Sequence, residues 1–372
     1  KPRPMAASPV IPPADHPSDG TLVRPLKDGY WDCTEIIALP DGSQRVRKRS
    51  KGGRAPGPWG IESLRREIRY LRALTPPAAD HLPPLLAAWD RPGADPASPD
   101  IGYEIPFYPD HRDAGALART GALSAGEIER FQTQLAHAVI TCLHTPAAPA
   151  PLSPHLGEAV VGALESLATD PDFARLIHAP EIELNGHTVR GPRVAWEHLA
   201  HATDALASLD AAPTVRIHGD FFLENILWRP DATPPTLDAP QLVLVDPVSV
   251  AGVTAGPALF DLVKYRSYAT GELLALRSEW VEVAGLETDN TSGTYRHAIR
   301  WDAPGLAPFR EHDWHSAFTA AHVARHGPID QRLYHLIDGY FSVAMAVNTF
   351  NAQRQARLLK ATHDFNQAIA LS

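Results

Sequence analysis

Ile217-His218-Gly219-Asp220-Phe221-Phe222-Leu223-Glu224-Asn225-Ile226-Leu227-Trp228 sets H-x-D-x-x-x-x-N between two short apolar runs, and Leu242-Val243-Leu244-Val245-Asp246-Pro247 follows as a third apolar run ending in a lone carboxylate. Val215 to Ile217 and Ile226 to Trp228 read as short strands on either side of a loop. Arg229 to Gln241, rich in Pro, Asp and Thr, reads as a hairpin connection. The bare pattern is only suggestive and an ordinary surface loop is its alternative; the strand-loop-strand context gives it weight. Phosphoryl transfer asks for an aligned hydroxyl, a carboxylate near its proton, and cations that neutralise the phosphates. Asp220 can accept or orient that proton. Asn225 brings an amide oxygen and Asp246 a carboxylate oxygen, and hard Mg²⁺ prefers oxygen ligands. His218 reads as a hydrogen-bonding brace of the loop rather than as its base.

On these residues the chain resembles the aminoglycoside phosphotransferase and choline kinase-like family, a branch of the protein-kinase-like superfamily. The motifs that carry the resemblance are His218-Gly219-Asp220 with Asn225, Val245-Asp246-Pro247, and Pro257-Ala258-Leu259-Phe260-Asp261-Leu262. It implies an α+β, bilobal protein-kinase-like fold with a small mixed-sheet N-lobe and a larger, mainly helical C-lobe. It also implies that Asp220 is the catalytic base, that Asn225 and Asp246 hold Mg²⁺, and that Asp261 is a buried carboxylate bracing the catalytic loop. Two features depart from the family pattern: Glu224 stands where many relatives have Gly or Asn, and Val248 to Gly256 lengthens the interval before the Asp-Leu pair.

A phosphotransferase of this kind needs a nucleotide-holding N-terminal part. Thr34 to Leu39 is a β-branched apolar run, Pro40-Asp41-Gly42-Ser43 is a turn with the favoured Asp-Gly pair, and Arg45 to Lys51 is a returning strand. Alternation puts Val46 and Lys48 on one face and Arg45, Arg47 and Arg49 on the other. Lys48 resembles the strand lysine that contacts nucleotide phosphates. Arg47 and Lys51 remain rivals, because a one-residue slip exchanges the faces, and a solvated basic edge strand is the plain alternative. Ile61, Leu64, Ile68, Leu71 and Leu74 form a helical stripe stopped by Pro76 and Pro77. Within it Glu67, in preference to Glu62, resembles the helix carboxylate that pairs with the strand lysine; a surface carboxylate is the alternative. Lys27-Asp28-Gly29-Tyr30-Trp31-Asp32 stands where the nucleotide loop belongs, with one glycine. Ile101 to Tyr108 reads as a strand running into a hinge, where Phe107 and Tyr108 either flank the base of ATP or GTP or are hydrophobic core.

Beyond the hinge the pattern is largely helical apart from the catalytic hairpins. Ser124 and Glu127 form a capping box ahead of Ile128, Phe131, Leu135, Ala138 and Cys142, and Gly191 to Leu209 reads as another helix. His137 and His144 lack a ligand cluster and read as packing or surface histidines. Leu262 to Val283, Pro308 to Ala324 and Gln331 to Asn366 read as substrate-side helices carrying Glu272, Glu279, Glu282, Glu311 and Asp313. The expected organisation is a mobile Pro-rich segment over 1–25, a nucleotide-binding lobe over 26–108, and a helical lobe over 109–372 that holds the catalytic loop and acceptor site.

The 372 residues, 44% of them hydrophobic, suffice for more than one core. No apolar run is long enough to span a bilayer, and two distant cysteines imply no disulfide framework, so the expected setting is the cytoplasm, with no membrane partner. A net charge of −9 opposes nucleic-acid binding and suits a cationic acceptor. The resemblance implies an ATP- or GTP-dependent transfer to a small-molecule hydroxyl. Aminoglycosides, aminocyclitols and related sugar-containing antibiotics lead, and choline, ethanolamine, homoserine or a simple sugar are the metabolic alternatives. A noncatalytic nucleotide-binding pseudokinase is the alternative of another class.

Overall fold

The alternation read from Arg45 to Lys51, where the strand runs Gln44–Ser50, sets the N-terminal architecture, because it gives this strand two usable faces and lets it sit inside a sheet. The computed structural model describes residues 14–28, 32–51, 57–93, 99–230, 240–248, 252–286 and 292–372. In chain order, β1 (Thr21–Asp28), β2 (Asp32–Ala38) and β3 (Gln44–Ser50) precede α1 (Gly57–Arg72), and β4 (Ala87–Arg91) and β5 (Asp100–Pro106) follow it. Next come β6 (Arg112–Asp113), α2 (Ala114–Thr120), α3 (Ala125–Ala136), a π-helical segment (His137–Leu143), α4 (Ser153–Leu167) and α5 (Pro171–His178). β7 (Glu181–Leu184), β8 (His187–Arg190), α6 (Pro192–His201), α7 (Ala205–Ala211) and β9 (Thr214–Arg216) lead to the H-x-D loop. After it lie β10 (Ile226–Trp228), β11 (Leu242–Leu244), β12 (Ala255–Pro257), α8 (Leu259–Ala269) and α9 (Glu272–Arg277). The chain closes with β13 (Val281–Ala284), β14 (Thr294–Ile299), α10 (Ala307–Glu311), α11 (Ser316–His326), α12 (Gln331–Ala346) and α13 (Asn351–Ala370).

The fold is α+β, with an antiparallel N-terminal sheet and a mainly helical C-terminal part. Two compact units divide it: Lys1–His111 with Thr233–Gly252, and Arg112–Ala232 with Val253–Ser372. Residues 240–248, which carry Asp246, therefore belong to the N-terminal unit although they follow the H-x-D loop in sequence.

In the first unit the sheet order is β1-β2-β3-β5-β4, every pair antiparallel. Thr21–Pro25, placed by sequence in the Pro-rich N-terminal segment, belong to β1. β3 is an interior strand, not the basic edge strand held open as an alternative. Its second face is satisfied by a buried acid: Glu104, fully buried, accepts from Arg45 at 3.1 Å, from Arg47 at 2.8 and 3.0 Å, and from the Ser18 hydroxyl at 2.6 Å. Burial pushes the Glu104 carboxyl up, but the Ser18 and Arg47 hydrogen bonds outweigh it and leave the group below its usual range. Asp41-Gly42 turns the β2–β3 hairpin with Gly42 at φ 85°, a conformation glycine adopts without cost. Behind the sheet α1 buries Leu64, Ile68 and Leu71, the apolar stripe of the sequence.

The second unit is built on α12 and α13, against which α4, α6 and α8 pack. Its largest buried side chains include Trp228, Trp314, Phe131, Tyr265, Phe221 and Phe318. The capping box forms as read, with the Ser124 hydroxyl accepting from Glu127 N and Glu127 accepting from Ser124 N at 2.8 Å. Several helical readings need correction. Gly191 to Leu209 is two helices, because the Thr203 hydroxyl donates to Leu199 O at 2.9 Å and accepts from Ala205 N at 3.2 Å, competing with the backbone ladder. The span 262–283 holds two helices and the start of a strand, and 331–366 breaks between α12 and α13. A four-stranded sheet, β13-β14-β7-β8, was missed altogether. Its β7–β8 hairpin turns on Asn185 and Gly186, at φ 53° and 81°, the two-residue left-handed pair that such a tight hairpin favours. That Asn-Gly pair was legible in the sequence.

Candidate active site

The H-x-D loop leaves β9 and is pinned by apolar side chains at both ends: Ile217, Phe221, Leu223 and Ile226 are fully buried. Gly219 takes φ 84°, a left-handed turn that aims its N–H inward. Asp261, in the first turn of α8 and fully buried, receives the two backbone donors. His218 N donates to its Oδ2 at 2.8 Å and Gly219 N to its Oδ1 at 2.9 Å, and His144 Nε2 lies 3.1 Å from Oδ2. Burial raises the Asp261 carboxyl, but its interactions with His144, the hydrogen bond first, and with His218 outweigh it and hold the group below its ordinary value. His144, read from sequence as a packing histidine, is thus part of the loop's brace.

One face of α8 continues along the loop. Residues at i, i+3, i+4 and i+7 of a helix share a face, and Asp261, Lys264, Tyr265 and Tyr268 occupy those positions. Lys264 Nζ donates to Asp220 Oδ1 at 3.1 Å. Tyr265 stacks on Phe221 with ring centroids 5.4 Å apart, and Tyr268 lies parallel to Phe222 at 6.2 Å. The Tyr268 hydroxyl donates to Glu224 at 2.9 Å. Glu224, the departure noted in sequence, also accepts from Arg119 of α2 at 3.0 Å and from Arg277 of α9 at 2.5 Å. Burial raises the Glu224 carboxyl, yet Arg277 leads the groups that hold it below its usual range. Sequence reasoning found Asp261 but missed Lys264, Tyr265 and Tyr268; the signal was the polar and aromatic spacing that follows Asp261.

Asn225 turns its amide nitrogen to Asp220, donating to the backbone oxygen at 2.8 Å and to Oδ2 at 3.1 Å. The carboxylate of Asp220 is therefore oriented from both sides. The amide oxygen of Asn225 is the end of that side chain left to serve as a hard-cation ligand.

The second constellation lies in the N-terminal unit. Lys48 Nζ donates to Glu67 Oε1 at 2.8 Å and to Asp246 Oδ1 at 3.2 Å, with Asp32 Oδ2 at 3.9 Å. The register of β3 against β2 and β5 turns Lys48 to this side and Arg45 and Arg47 to Glu104. Of its rivals, Arg47 is engaged by Glu104 and Lys51 pairs with Asp28. Glu62 instead pairs with Arg69 at 2.5 Å. Burial works against the Lys48 charge, but Asp246 and Glu67 outweigh it and hold the ammonium well above its usual pKa. Burial, reinforced by Asp246, pushes Glu67 up to about 7 in spite of Lys48. Its second oxygen, Oε2, is buried with no hydrogen-bond partner among the described residues. Asp246 sits at φ 54°, just beyond β11, whose Leu244 N donates to His81 O at 2.8 Å. Phe107 and Tyr108 are half-buried beyond the end of β5, and Tyr108 meets His111 edge-on at 5.3 Å. Of the expected nucleotide loop, Gly29, Tyr30 and Trp31 lie outside the described residues.

Three of the acids expected on the substrate-side helices, Glu272, Glu282 and Asp313, are engaged within the protein. Lys360 Nζ meets Glu272 at 3.1 Å and Asp338 and Asp364 at 2.7 Å each. Asp313 accepts from His315 N and Ser316 N at the start of α11, and Glu282 pairs with Arg296 at 3.1 Å.

No protein-family model and no curated protein matches the chain. Among solved structures it is similar to a microcompartment-associated aminopropanol kinase (12% identity, 95% of this chain and 92% of that one, TM-score 0.47). It is also similar to a fructosamine-3-kinase, so described provisionally, from Thermobifida fusca YX-ER1 (17% identity, 94% and 95%, TM-score 0.44). A third is a macrolide 2'-phosphotransferase from Brachybacterium faecium (14% identity, 93% and 94%, TM-score 0.39). All three are named as kinases or phosphotransferases. At such identities and TM-scores the likeness carries no argument about activity or substrate, and what this chain does is argued from its own side chains.

Proposed function

We propose that the chain is an ATP- or GTP-dependent O-phosphotransferase acting on a hydroxyl of a small polar molecule, and that it works in the cytoplasm. The observation that carries this reading is the buried ammonium of Lys48, shared between Glu67 at 2.8 Å and Asp246 at 3.2 Å. A lysine held ready by carboxylates, one on a helix and one at a strand end, is the group that nucleotide phosphates engage. In this reading Lys48 takes the phosphates, Glu67 holds Lys48, and Phe107 and Tyr108 flank the base. Asp220 accepts the acceptor's proton, His218 and Asp261 brace the loop, and Asn225 and Asp246 are the oxygen donors for Mg²⁺.

Each of these oxygen donors by itself suits a hard cation. Asp246 is a carboxylate with a quarter of its side chain exposed, and Asn225 spends its nitrogen on Asp220. Bound Mg²⁺ would neutralise phosphate charge; the chain's own residues orient the loop, hold Lys48 and receive the proton.

For the acceptor, the resemblance favours an aminoglycoside, an aminocyclitol or a related sugar-containing antibiotic, in resistance or biosynthesis. Beside the loop Lys264 is paired with Asp220, and Arg119 and Arg277 with Glu224, so these charges select neither a polycation nor a neutral metabolic sugar. Among the described residues no helix is long and apolar enough to cross a membrane. The deciding experiment measures nucleoside diphosphate release across aminoglycosides, nucleoside antibiotics, sugars and amino alcohols, with Mg²⁺ and either ATP or GTP. Acceptor-dependent release is expected for one class. Tight nucleotide binding with no acceptor-dependent release from any of them would replace this reading with the pseudokinase.

A further inference from the structure

Asp220 has a cationic neighbour that the reading above leaves without a task. Lys264 Nζ stands 3.1 Å from Asp220 Oδ1, opposite the Asn225 amide on Oδ2, and the two side chains are 12% and 11% exposed. The ammonium also lies 4.2 Å from the ring centroid of Phe341 and 5.8 Å from that of Phe222. A lysine between two aromatic faces has exchanged much of its water for π-electron density and is held in place. The pair therefore differs from a solvated surface ion pair, which contributes almost nothing.

We propose that Lys264 is a positioning residue for phosphoryl transfer, which, seated between the rings of Phe341 and Phe222, holds the Asp220 carboxylate in the orientation that meets the acceptor hydroxyl. The inference rests on the phosphotransferase reading. In the step concerned, the acceptor oxygen forms its bond to the γ-phosphorus as the bond from that phosphorus to the β,γ-bridging oxygen breaks. The electron pair of the broken bond leaves on the nucleoside diphosphate, and the hydroxyl proton passes to an Asp220 oxygen. A carboxylate held on both oxygens, by Lys264 on Oδ1 and by Asn225 on Oδ2, meets the hydroxyl in a productive geometry without reorganising at the moment of transfer, and this raises kcat while leaving ground-state binding unchanged. A preorganised charge in a water-poor site is the effective kind.

The test compares the parent with Lys264→Met, Lys264→Arg, Asp220→Asn and the double variant Asp220→Asn/Lys264→Met, measuring diphosphate release with the best acceptor and nucleotide affinity by titration. Lys264→Met should lower kcat about 100-fold, with nucleotide affinity and acceptor KM within about threefold of the parent. Lys264→Arg, which keeps the charge, should recover at least about tenfold of that loss. In the Asp220→Asn background, where no carboxylate is left for Lys264 to orient, Lys264→Met should cost less than about twofold. Met keeps the apolar stem between the rings; should it fail to fold, judged by nucleotide titration and denaturation, Lys264→Gln against Lys264→Arg makes the same comparison. A neutral variant with kcat within about threefold of the parent, a loss confined to acceptor KM, or an equal loss in both backgrounds overturns the proposal. A parent that turns over no acceptor with either nucleotide removes the phosphotransferase reading and this inference with it; an active parent with an indifferent Lys264 removes this inference alone.

Discussion

Replacing Asp261 by Asn tests the brace of the loop with almost no change of shape. The parent carboxylate, fully buried, accepts from His218 N at 2.8 Å, from Gly219 N at 2.9 Å, and pairs with His144 Nε2 at 3.1 Å. An amide offers one oxygen and one NH₂. Whichever way it turns, one backbone N–H faces a donor and is buried without an acceptor, at a cost of about 1–3 kcal/mol. The surviving bonds lose their charge assistance, roughly another 1 kcal/mol each. The expected loss is therefore about 3–5 kcal/mol, a large share of the roughly 5–15 kcal/mol that holds a domain folded. Melting of the second unit should fall by on the order of 10 °C. Urea denaturation followed by tryptophan fluorescence reads the loss directly, because Trp228 and Trp314 are buried in the same unit. The pH dependence supplies a sharper check. The folded-state pKa of Asp261 is depressed, so its contribution is fully present above the unfolded value near about 3.9 and is lost as pH falls through the lower folded value. The gap between parent and variant should be widest at neutral pH and narrow below about pH 4. A gap under about 1 kcal/mol at pH 7, or one that widens on acidification, would refute the brace.

Three further outcomes are expected. Asp220→Asn should cut turnover by roughly 10²- to 10⁴-fold with nucleotide affinity nearly intact; near-normal turnover removes Asp220 as the base. Asp246→Ala should weaken nucleotide binding in a Mg²⁺-dependent way, since it removes one of two proposed oxygen donors and one of the carboxylates on Lys48. Identical titrations of parent and variant with and without Mg²⁺ would exclude the metal role. If the acceptor is a polycation, its apparent affinity should fall clearly as salt rises, because solvent-exposed attraction is screened over about 8 Å at physiological ionic strength. A preferred acceptor without amines, bound equally well at low and high salt, would reject the cationic class and leave the phosphotransferase reading standing.

The sequence by itself determined the parts of this protein that depend on near neighbours along the chain. His218-Gly219-Asp220 and Asn225 lie within eight residues of one another, so loop geometry alone keeps Asn225 beside Asp220. The strand alternation of β3 and the stripe of α1 were likewise legible, because periods of two and 3.6 are local properties. Tertiary structure alone decided which basic residue of β3 meets an acid of α1. That choice rests on the pairing of β3 with β5, on Glu104 drawing Arg45 and Arg47 to the opposite face, and on Asp246 arriving from 198 residues away. It also decided that α8 lies along the H-x-D loop, which turns an unremarked Lys264 into the partner of Asp220 44 residues earlier. Charge, size and periodicity are written in the chain; the burial that makes a given ammonium and carboxylate seek each other exists only once distant segments have excluded the water between them.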